Sequence, residues 1–480
     1  MNYRAIAHPI GHLLLLIAFL MLIPAGVDGF FGNPDWIVFL KSFVIVGGIG
    51  ALTTTAFYGE APLYRFRDAV IFVNAAWLVF SLAGAMPLYE SSLNISFTDA
   101  FFEAASGLTT TGSTVLTGLD NLPPGILLWR SLLQWIGGIG VVALGIWLLP
   151  GLRVAGSQLF AIESSENTTK PYGRVSPFVI RLLSLYAGLT LACTFSYMAV
   201  GMSPFNAINH AFTTVSTGGF STSDMSFGQF SGIGAYWVAI IFMLASSVPF
   251  LYLIRTMEQR NLAFDPQILA LLIVCFVGSF AVFLAERFIV HDTPFHMFTL
   301  ATFNVVSVIS TTGYAANDYL KFGPLVVCIF FILTFFGGCS GSTSGGFKMF
   351  RLTILSNYIL GLSRRIVRPH RIISTRYRGE PVSSPILEGV LVFAVLYTAT
   401  FSLFAGIYAA AGLDLETALS ASITALANVG PGVGNTIGPS GTFQTLPDPV
   451  KWMLAFQMIL GRLEILVGLL IFTPDFWLDK

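Results

Sequence analysis

Ten stretches of the chain are apolar for long enough to cross a bilayer as helices, at about 10–30, 36–57, 69–88, 125–149, 177–200, 234–254, 267–290, 322–350, 386–411 and 451–473. In hydrocarbon every backbone N–H and C=O must find a partner inside the protein, so these runs are expected to be helices. Of 480 residues, 55% are hydrophobic and only 10% charged, which leaves neither length nor polar surface for a soluble domain of ordinary size. The first run reads as one arm of a helical hairpin rather than a cleaved leader, because Arg4 is its only nearby basic residue and the next run opens at Trp36.

After the opening pair, the other eight runs form four couples. Each couple encloses a segment too short or too polar to cross and too apolar for an open loop: "SFTDAFFEAASGLTTTGST", "SPFNAINHAFTTVSTGGFST", "TPFHMFTLATFNVVSVISTTGYA" and "DLETALSASITALANVGPGVG". Ser96, Ser203, Thr293 and Asp414 are the expected helix caps, and Pro204 and Pro294 take the first helical position, where the missing N–H costs nothing. A helix of 12 residues rises about 18 Å, enough to enter the hydrocarbon and stop halfway. Every segment then ends at a Thr/Gly or Asn/Gly break.

Aligned on these breaks, Gly112, Gly218, Gly313 and Gly430 fall in register, and the segments become copies of one unit. The third is irregular, with Thr293 standing 20 residues before its glycine where the other caps stand 15 or 16 before theirs. The expected architecture is an all-α polytopic membrane protein. A two-helix hairpin over 1–64 precedes four helix/pore-helix/helix repeats, 65–153, 154–262, 263–380 and 381–480, around a pseudo-fourfold pore. Basic residues set the orientation. Arg4, Arg65, Arg67, Arg153, Lys170, Arg174, Arg255, Arg260 and the cluster from Lys348 to Arg378, including Arg364, Arg365, Arg368, Arg371 and Arg376, fall on one side, and mainly Arg287, Lys321 and Lys451 on the other. The positive-inside rule puts both termini in the cytoplasm and all four breaks toward the outside.

Irregular backbone at membrane depth is tolerated only where protein or a wet cavity satisfies it, and a dehydrated cation is one such partner. Four converging loops can offer rings of carbonyls in place of potassium's hydration shell, while the short helices aim their negative ends at the same axis. The candidate lining is Thr110, Thr111 and Gly112; Thr217, Gly218 and Gly219; Thr311, Thr312 and Gly313; and Asn428, Val429 and Gly430. A lone "TTG" would mean only close helix packing; four in the same topological place mean a shared site. Glu103 either draws cations to the outer mouth or bonds within the fold. Asp120, Asp224, Asp318 and Asp414 add outer negative charge. His210 is expected to be packed and hydrogen-bonded.

The inner helix of the third repeat is interrupted by "GGCSGSTSGG" at 337–346, with five glycines and no strong helix former. At membrane depth this stretch lines a cavity, and it is expected to act as a mobile barrier below the loops through Gly337, Gly338, Ser340, Gly341, Gly345 and Gly346. Arg462 lies within the last run, where an unpaired charge costs about 2.5–3.5 kcal/mol, so it is expected to face the pore beside this barrier. An ion pair with Glu464 is the alternative. Lys348 either snorkels to the interface or anchors the barrier.

"FFEAASGLTTTGST", "TVSTGGFST", "SVISTTGYA" and "ANVGPGVG", with "WIGGIGVV", "GGCSGSTSGGFK" and "GRLE", resemble the Trk/Ktr/HKT superfamily of potassium transporters, and the opening hairpin and length resemble its bacterial TrkH branch. The resemblance implies potassium uptake across the cytoplasmic (inner) membrane, a homodimer with one pore per subunit, and a TrkA-like cytoplasmic ring that binds nucleotide and controls gating. It also implies that Gly112, Gly218, Gly313 and Gly430 are filter glycines, and that a glycine at 112 goes with potassium selectivity where a serine goes with sodium permeation. The stretch 364–378 is expected to meet anionic lipid or that ring.

Other classes fit less well. A sodium-permeable or poorly selective pathway is the nearest alternative, followed by an inverted-repeat secondary transporter, which would show two related halves instead of four parallel units. Potassium is expected as cargo, with no cofactor on this chain and no enzyme activity, since no convergent catalytic constellation is evident. Zero net charge gives no affinity for nucleic acid. Cys193, Cys275, Cys328 and Cys339 lack the spacing of a disulfide framework or zinc site.

Overall fold

Helices α1 (Tyr3–Phe31) and α2 (Trp36–Ala56) pack on each other as the expected hairpin, and α1 also lies against the first repeat. The computed structural model describes residues 2–59, 66–152, 177–230, 232–259, 264–287, 289, 292–368 and 374–478. Arg65, Arg153, Lys170, Arg174, Arg260 and Arg371 lie outside them. The repeats follow in chain order. The first is α3 (Phe66–Glu90), α4 (Phe97–Leu108) and α5 (Pro124–Leu152). The second is α6 (Pro177–Ala199), α7 (Pro204–Val215), α8 (Ile233–Ser247) and α9 (Phe250–Gln259). The third is α10 (Pro266–Glu286), α11 (Pro294–Ile309), α12 (Pro324–Leu333) and α13 (Met349–Val367). A two-stranded ribbon, β1 (Arg376–Tyr377) with β2 (Glu380–Pro381), leads into the fourth: α14 (Ser384–Ala410), α15 (Leu415–Ala427), α16 (Asp448–Arg462) and α17 (Leu466–Leu470).

The short helices α4, α7, α11 and α15 are the half-crossings, and each packs between flanking helices of its own repeat. They also join neighbouring repeats: α7 lies on α5, α11 on α8, and α4 on α16, which brings the last repeat back to the first. Their starts follow the capping residues. Ser96 accepts from the Asp99 N–H at 3.1 Å, Ser203 from Asn206 at 3.4 Å and Asp414 from Thr417 at 3.0 Å. Thr293 holds the cap position without a side-chain bond; Asp292 instead accepts from the Thr293 N–H and from His296, each at 2.6 Å. The irregular third copy is a longer helix, 16 residues in α11 against 12, 12 and 13 in the others.

Hydropathy overstated the continuity of three runs. Among the described residues six helices are long and apolar enough to cross, and the pair α8 and α9, which meets that test only together, bends by 95°. The expected straight run over 234–254 therefore turns at Val248–Pro249, where the proline carries no N–H to continue the ladder. The run over 322–350 is split by the glycine-rich stretch, as its composition requires. The run over 451–473 breaks after Arg462, where Glu464 and Ile465 both take positive φ, at 62° and 33°.

Candidate functional site

All four short helices end in the same backbone motif. Thr110, Thr217, Thr311 and Asn428 are left-handed, with φ between 53° and 59°, and each is followed two residues later by a left-handed glycine: Gly112, Gly219, Gly313 and Gly430, at 84°, 79°, 80° and 104°. The residue between closes a six-residue Schellman turn, with Thr111 N–H to Ser106 O, Gly218 to Thr213, Thr312 to Ser307 and Val429 to Thr424, at 2.9, 2.8, 2.8 and 3.1 Å. This corrects the register in the second loop: Gly219, not Gly218, is the counterpart of Gly112, Gly313 and Gly430. With that shift Ser96, Ser203 and Asp414 all stand 16 residues before their glycine. Threonine is β-branched and disfavours the left-handed region, so three such residues in one place mark a backbone held against its preference.

The loops interlock as a closed circuit. A Cβ built on Gly112 would meet the Gly218 carbonyl oxygen at 2.2 Å, one on Gly219 the Thr312 oxygen at 1.8 Å, one on Gly313 the Val429 oxygen at 1.9 Å, and one on Gly430 the Thr111 oxygen at 2.6 Å. Each glycine therefore abuts the carbonyl that precedes the glycine of the next loop, and the fourth returns to the first. Side chains brace the ring from behind. Thr109 and Thr111 hydroxyls share a bond of 2.7 Å, as do Ser310 and Thr312; Asn428 Nδ2 donates to Thr111 Oγ1 and to the Met458 carbonyl, both at 2.9 Å; and Gln134 Nε2 donates to the Gly218 carbonyl at 2.7 Å.

The glycine-rich stretch lies directly against these loops. Gly345 N–H donates to Thr311 Oγ1 at 2.7 Å, Thr343 Oγ1 is 3.3 Å from Thr217 Oγ1, and a Cβ on Gly345 would reach the Ala427 carbonyl at 2.4 Å. The bend after α8 explains how non-helical backbone is satisfied here. It frees the Ser246 and Ser247 carbonyls, which accept from Thr343 and Cys339 N–H at 3.3 and 2.9 Å, while Gly341 O accepts from Phe250 N–H at 2.9 Å. The two ends of the stretch also bond each other, with Gly337 N–H donating to Phe347 O and Met349 N–H to Gly338 O, each at 3.1 Å. Ser340 N–H donates to Gln267 Oε1 at 3.0 Å; Gln267 also bonds Asp265, which accepts from Tyr377 Oη at 3.0 Å and pairs with Arg378. A polar chain thus links Ser340 to the β1–β2 ribbon. Lys348 does not snorkel: its ammonium folds back onto the Ser344 carbonyl.

Arg462 is buried, and its three guanidinium nitrogens have no hydrogen-bond partner among the described residues. Its electrostatic neighbours are Tyr186 and Lys348, the latter two residues past the glycine-rich stretch. The alternative pairing fails, because Glu464 bonds Arg351, whose guanidinium stacks 3.7 Å over the Phe393 ring. A buried unpaired cation is costly enough to require a reason other than stability.

Glu103 is fully buried and takes no part in the outer mouth. Arg130 donates to it at 2.8 Å, and Thr114 Oγ1 and the Val115 N–H each reach it at 2.9 Å. Arg130 also donates to the Ser221 carbonyl at 3.0 Å and lies 4.2 Å over the Phe220 ring, so one charge pair ties the first short helix to the second loop. The sequence reading missed Arg130 and Gln134; the available signal was two polar residues four apart, on one face of an otherwise apolar run. His210 is buried and bonded to the Asn206 carbonyl and Ser221 Oγ, as expected. Asp224 accepts from Gly118 and Leu119 N–H, stitching the first loop to the second. Bonds from the Thr417 N–H and hydroxyl hold the exposed Asp414 carboxyl below its ordinary pKa, so it is ionised at neutral pH.

Comparison with known proteins agrees with this geometry. The sequence model of the family described as TrkH, cation transport protein, matches residues 37–477. The chain is 39% identical over 467 residues to the Trk system potassium uptake protein TrkI of Halomonas elongata, covering 96% of this chain and 94% of that one. It is 32% identical over 488 residues to the Trk system potassium uptake protein TrkH of Vibrio parahaemolyticus, covering 99% and 100%. The crystal structure of the potassium transporter TrkH from Vibrio parahaemolyticus superposes with a TM-score of 0.90 at 30% identity, over the full length of both chains.

Proposed function

Because the chain belongs to the TrkH cation transport family, we propose that it takes potassium up across a bacterial cytoplasmic membrane through a selective, gated pore. The observation that carries this reading is the closed circuit of the four loops, each glycine seated against the next loop's carbonyl. The filter is formed by Thr110, Thr111, Gly112, Thr217, Gly218, Gly219, Thr311, Thr312, Gly313, Asn428, Val429 and Gly430. A dehydrated ion exchanges water for the carbonyls of these loops, and the carbonyl ends of α4, α7, α11 and α15 add negative potential where it sits. Unhydrated sodium is smaller and draws less from oxygens held at this spacing.

Below the filter, Gly337, Gly338, Ser340, Gly341, Gly345, Gly346, Lys348 and Arg462 form the gate. The stretch 337–346 obstructs the path, and the unpaired guanidinium of Arg462 repels a cation until loop and charge move apart. The repeat boundaries proposed are those of 1–64, 65–153, 154–262, 263–380 and 381–480, with both termini cytoplasmic. Membership of the family supports a homodimer and a TrkA-like cytoplasmic nucleotide-binding ring as assembly partners. The exposed Arg364, Arg365 and Arg368 at the end of α13, and the polar chain from the ribbon to Ser340, give that ring a place to act.

Purified chain in liposomes, with potassium on one side and sodium on the other, tests the transport reading. The expected reversal potential follows the potassium gradient and ignores an imposed proton gradient; a potential set by sodium or by protons refutes it. Size measurement in mild detergent, with and without a ring protein, tests the assembly: a monomer that binds no ring contradicts it.

A further inference from the structure

The residue that precedes the glycine has a side chain in three loops: Thr111, Thr312 and Val429. In the first and third loops its hydroxyl turns back to a hydroxyl at the end of the short helix, Thr109 or Ser310, at 2.7 Å. In the second loop the position is Gly218, and although Ser216 stands where Thr109 and Ser310 do, no side chain answers it. That space is filled from another repeat. A Cβ on Gly218 would lie 2.4 Å from Gln134 Cδ and 2.5 Å from Oε1. Gln134, on α5, is fully buried; its Nε2 donates to the Gly218 carbonyl at 2.7 Å and its Oε1 accepts from the Phe220 N–H at 3.0 Å. Those two partners fix which end of the amide is which.

We propose that Gln134 is a specificity-determining residue of the filter, standing in for the side chain that the second loop lacks and positioning the Gly218 carbonyl. This inference rests on the conduction reading above. Without its amide, Gly218 would be the one position of the circuit with neither a side chain of its own nor a side-chain bond to its carbonyl, and glycine is the residue least able to hold its own backbone angles. Gln134 also bonds on both sides of Gly219, through Gly218 O and Phe220 N, so it clamps the stretch that carries the second loop's left-handed glycine. Its role is positional: the ion would meet the carbonyl, and Gln134 would hold it.

The test is the potassium-to-sodium permeability ratio from reversal potentials in liposomes. Gln134→Ala is expected to lower the ratio about tenfold, as loss of one buried bond behind a coordinating oxygen requires. Gln134→Met fills the same space without either bond and is expected to fall similarly, separating bonding from packing. The pseudo-symmetry also specifies a rescue: in Gln134→Ala/Gly218→Thr, a threonine enters the vacated space beside Ser216, as Thr312 lies beside Ser310. That double variant is expected to recover the ratio to within about threefold of wild type, whereas Gly218→Thr alone, with Gln134 in place, is expected to lower it. A Gln134→Met protein that keeps the wild-type ratio overturns the inference, as does a correctly inserted double variant no more selective than Gln134→Ala. A wild type with no potassium preference refutes the conduction reading instead, so the two failures are distinct.

Discussion

Alanine at each of the four circuit glycines gives a graded test of the filter. All four glycines have positive φ, and a left-handed residue with a side chain costs about 1–2 kcal/mol, or roughly five- to thirtyfold in the population of the native loop. That contribution is similar at the four sites. The steric one is not: the new Cβ would lie 2.6 Å from its carbonyl at Gly430, 2.2 Å at Gly112, 1.9 Å at Gly313 and 1.8 Å at Gly219, where contacts under 3.0 Å essentially never occur. The opposed oxygen must therefore retreat by about half an ångström in the first case and by more than one in the last. Gly313→Ala carries an added conflict with Pro431 Cδ at 2.8 Å. The expected loss of potassium-to-sodium selectivity is least for Gly430→Ala, larger for Gly112→Ala and largest for Gly313→Ala and Gly219→Ala, beginning near tenfold. Reversal potentials of each purified variant, compared at equal reconstituted amounts, measure it. Selectivity that stays at the wild-type value in Gly112→Ala and Gly219→Ala, or the reverse ranking, refutes the claim that these carbonyls set the choice of ion.

Three further outcomes follow from the gate and the buried charges. Arg462→Gln is expected to raise partner-independent potassium flux without lowering the unfolding temperature, because it removes a buried charge that has no hydrogen-bond partner among the described residues; flux left at the closed level contradicts the gate. Gln267→Leu cuts one tether of the glycine-rich stretch, at Ser340, and is expected to raise the same flux several-fold while the ion preference is kept, read by rubidium uptake and reversal potential. Glu103→Ala strands the Arg130 guanidinium in the interior and is expected to destabilise the protein by about 3–5 kcal/mol, seen as lost folded yield in detergent, with Arg130→Met in the same chain restoring part of it.

Much of the architecture was legible in the sequence because membrane depth leaves few options. A capped apolar segment of half the crossing length, ending in Thr and Gly, can only enter and stop, and the four copies correctly implied one axis. The register of the second loop was not legible, since Gly218 and Gly219 are chemically identical and only the backbone turn, with Gln134 behind it, tells them apart. Hydropathy sums apolarity along the chain and is blind to direction, so it passed through the 95° turn at Pro249 and the break at Glu464. Arg130 was hidden for the same reason, as one charge in a run otherwise fit to face lipid, and Glu103 could not be assigned until its partner was known.

The circuit of glycines and carbonyls has a sense of rotation: first loop onto second, second onto third, third onto fourth, fourth onto first. The quadrants therefore mesh as cogs rather than standing as four separate pillars. A change in one is felt first by its successor, so no quadrant can be altered by itself. A substitution that widens the bore in one quadrant therefore calls for a matching change in the adjoining one.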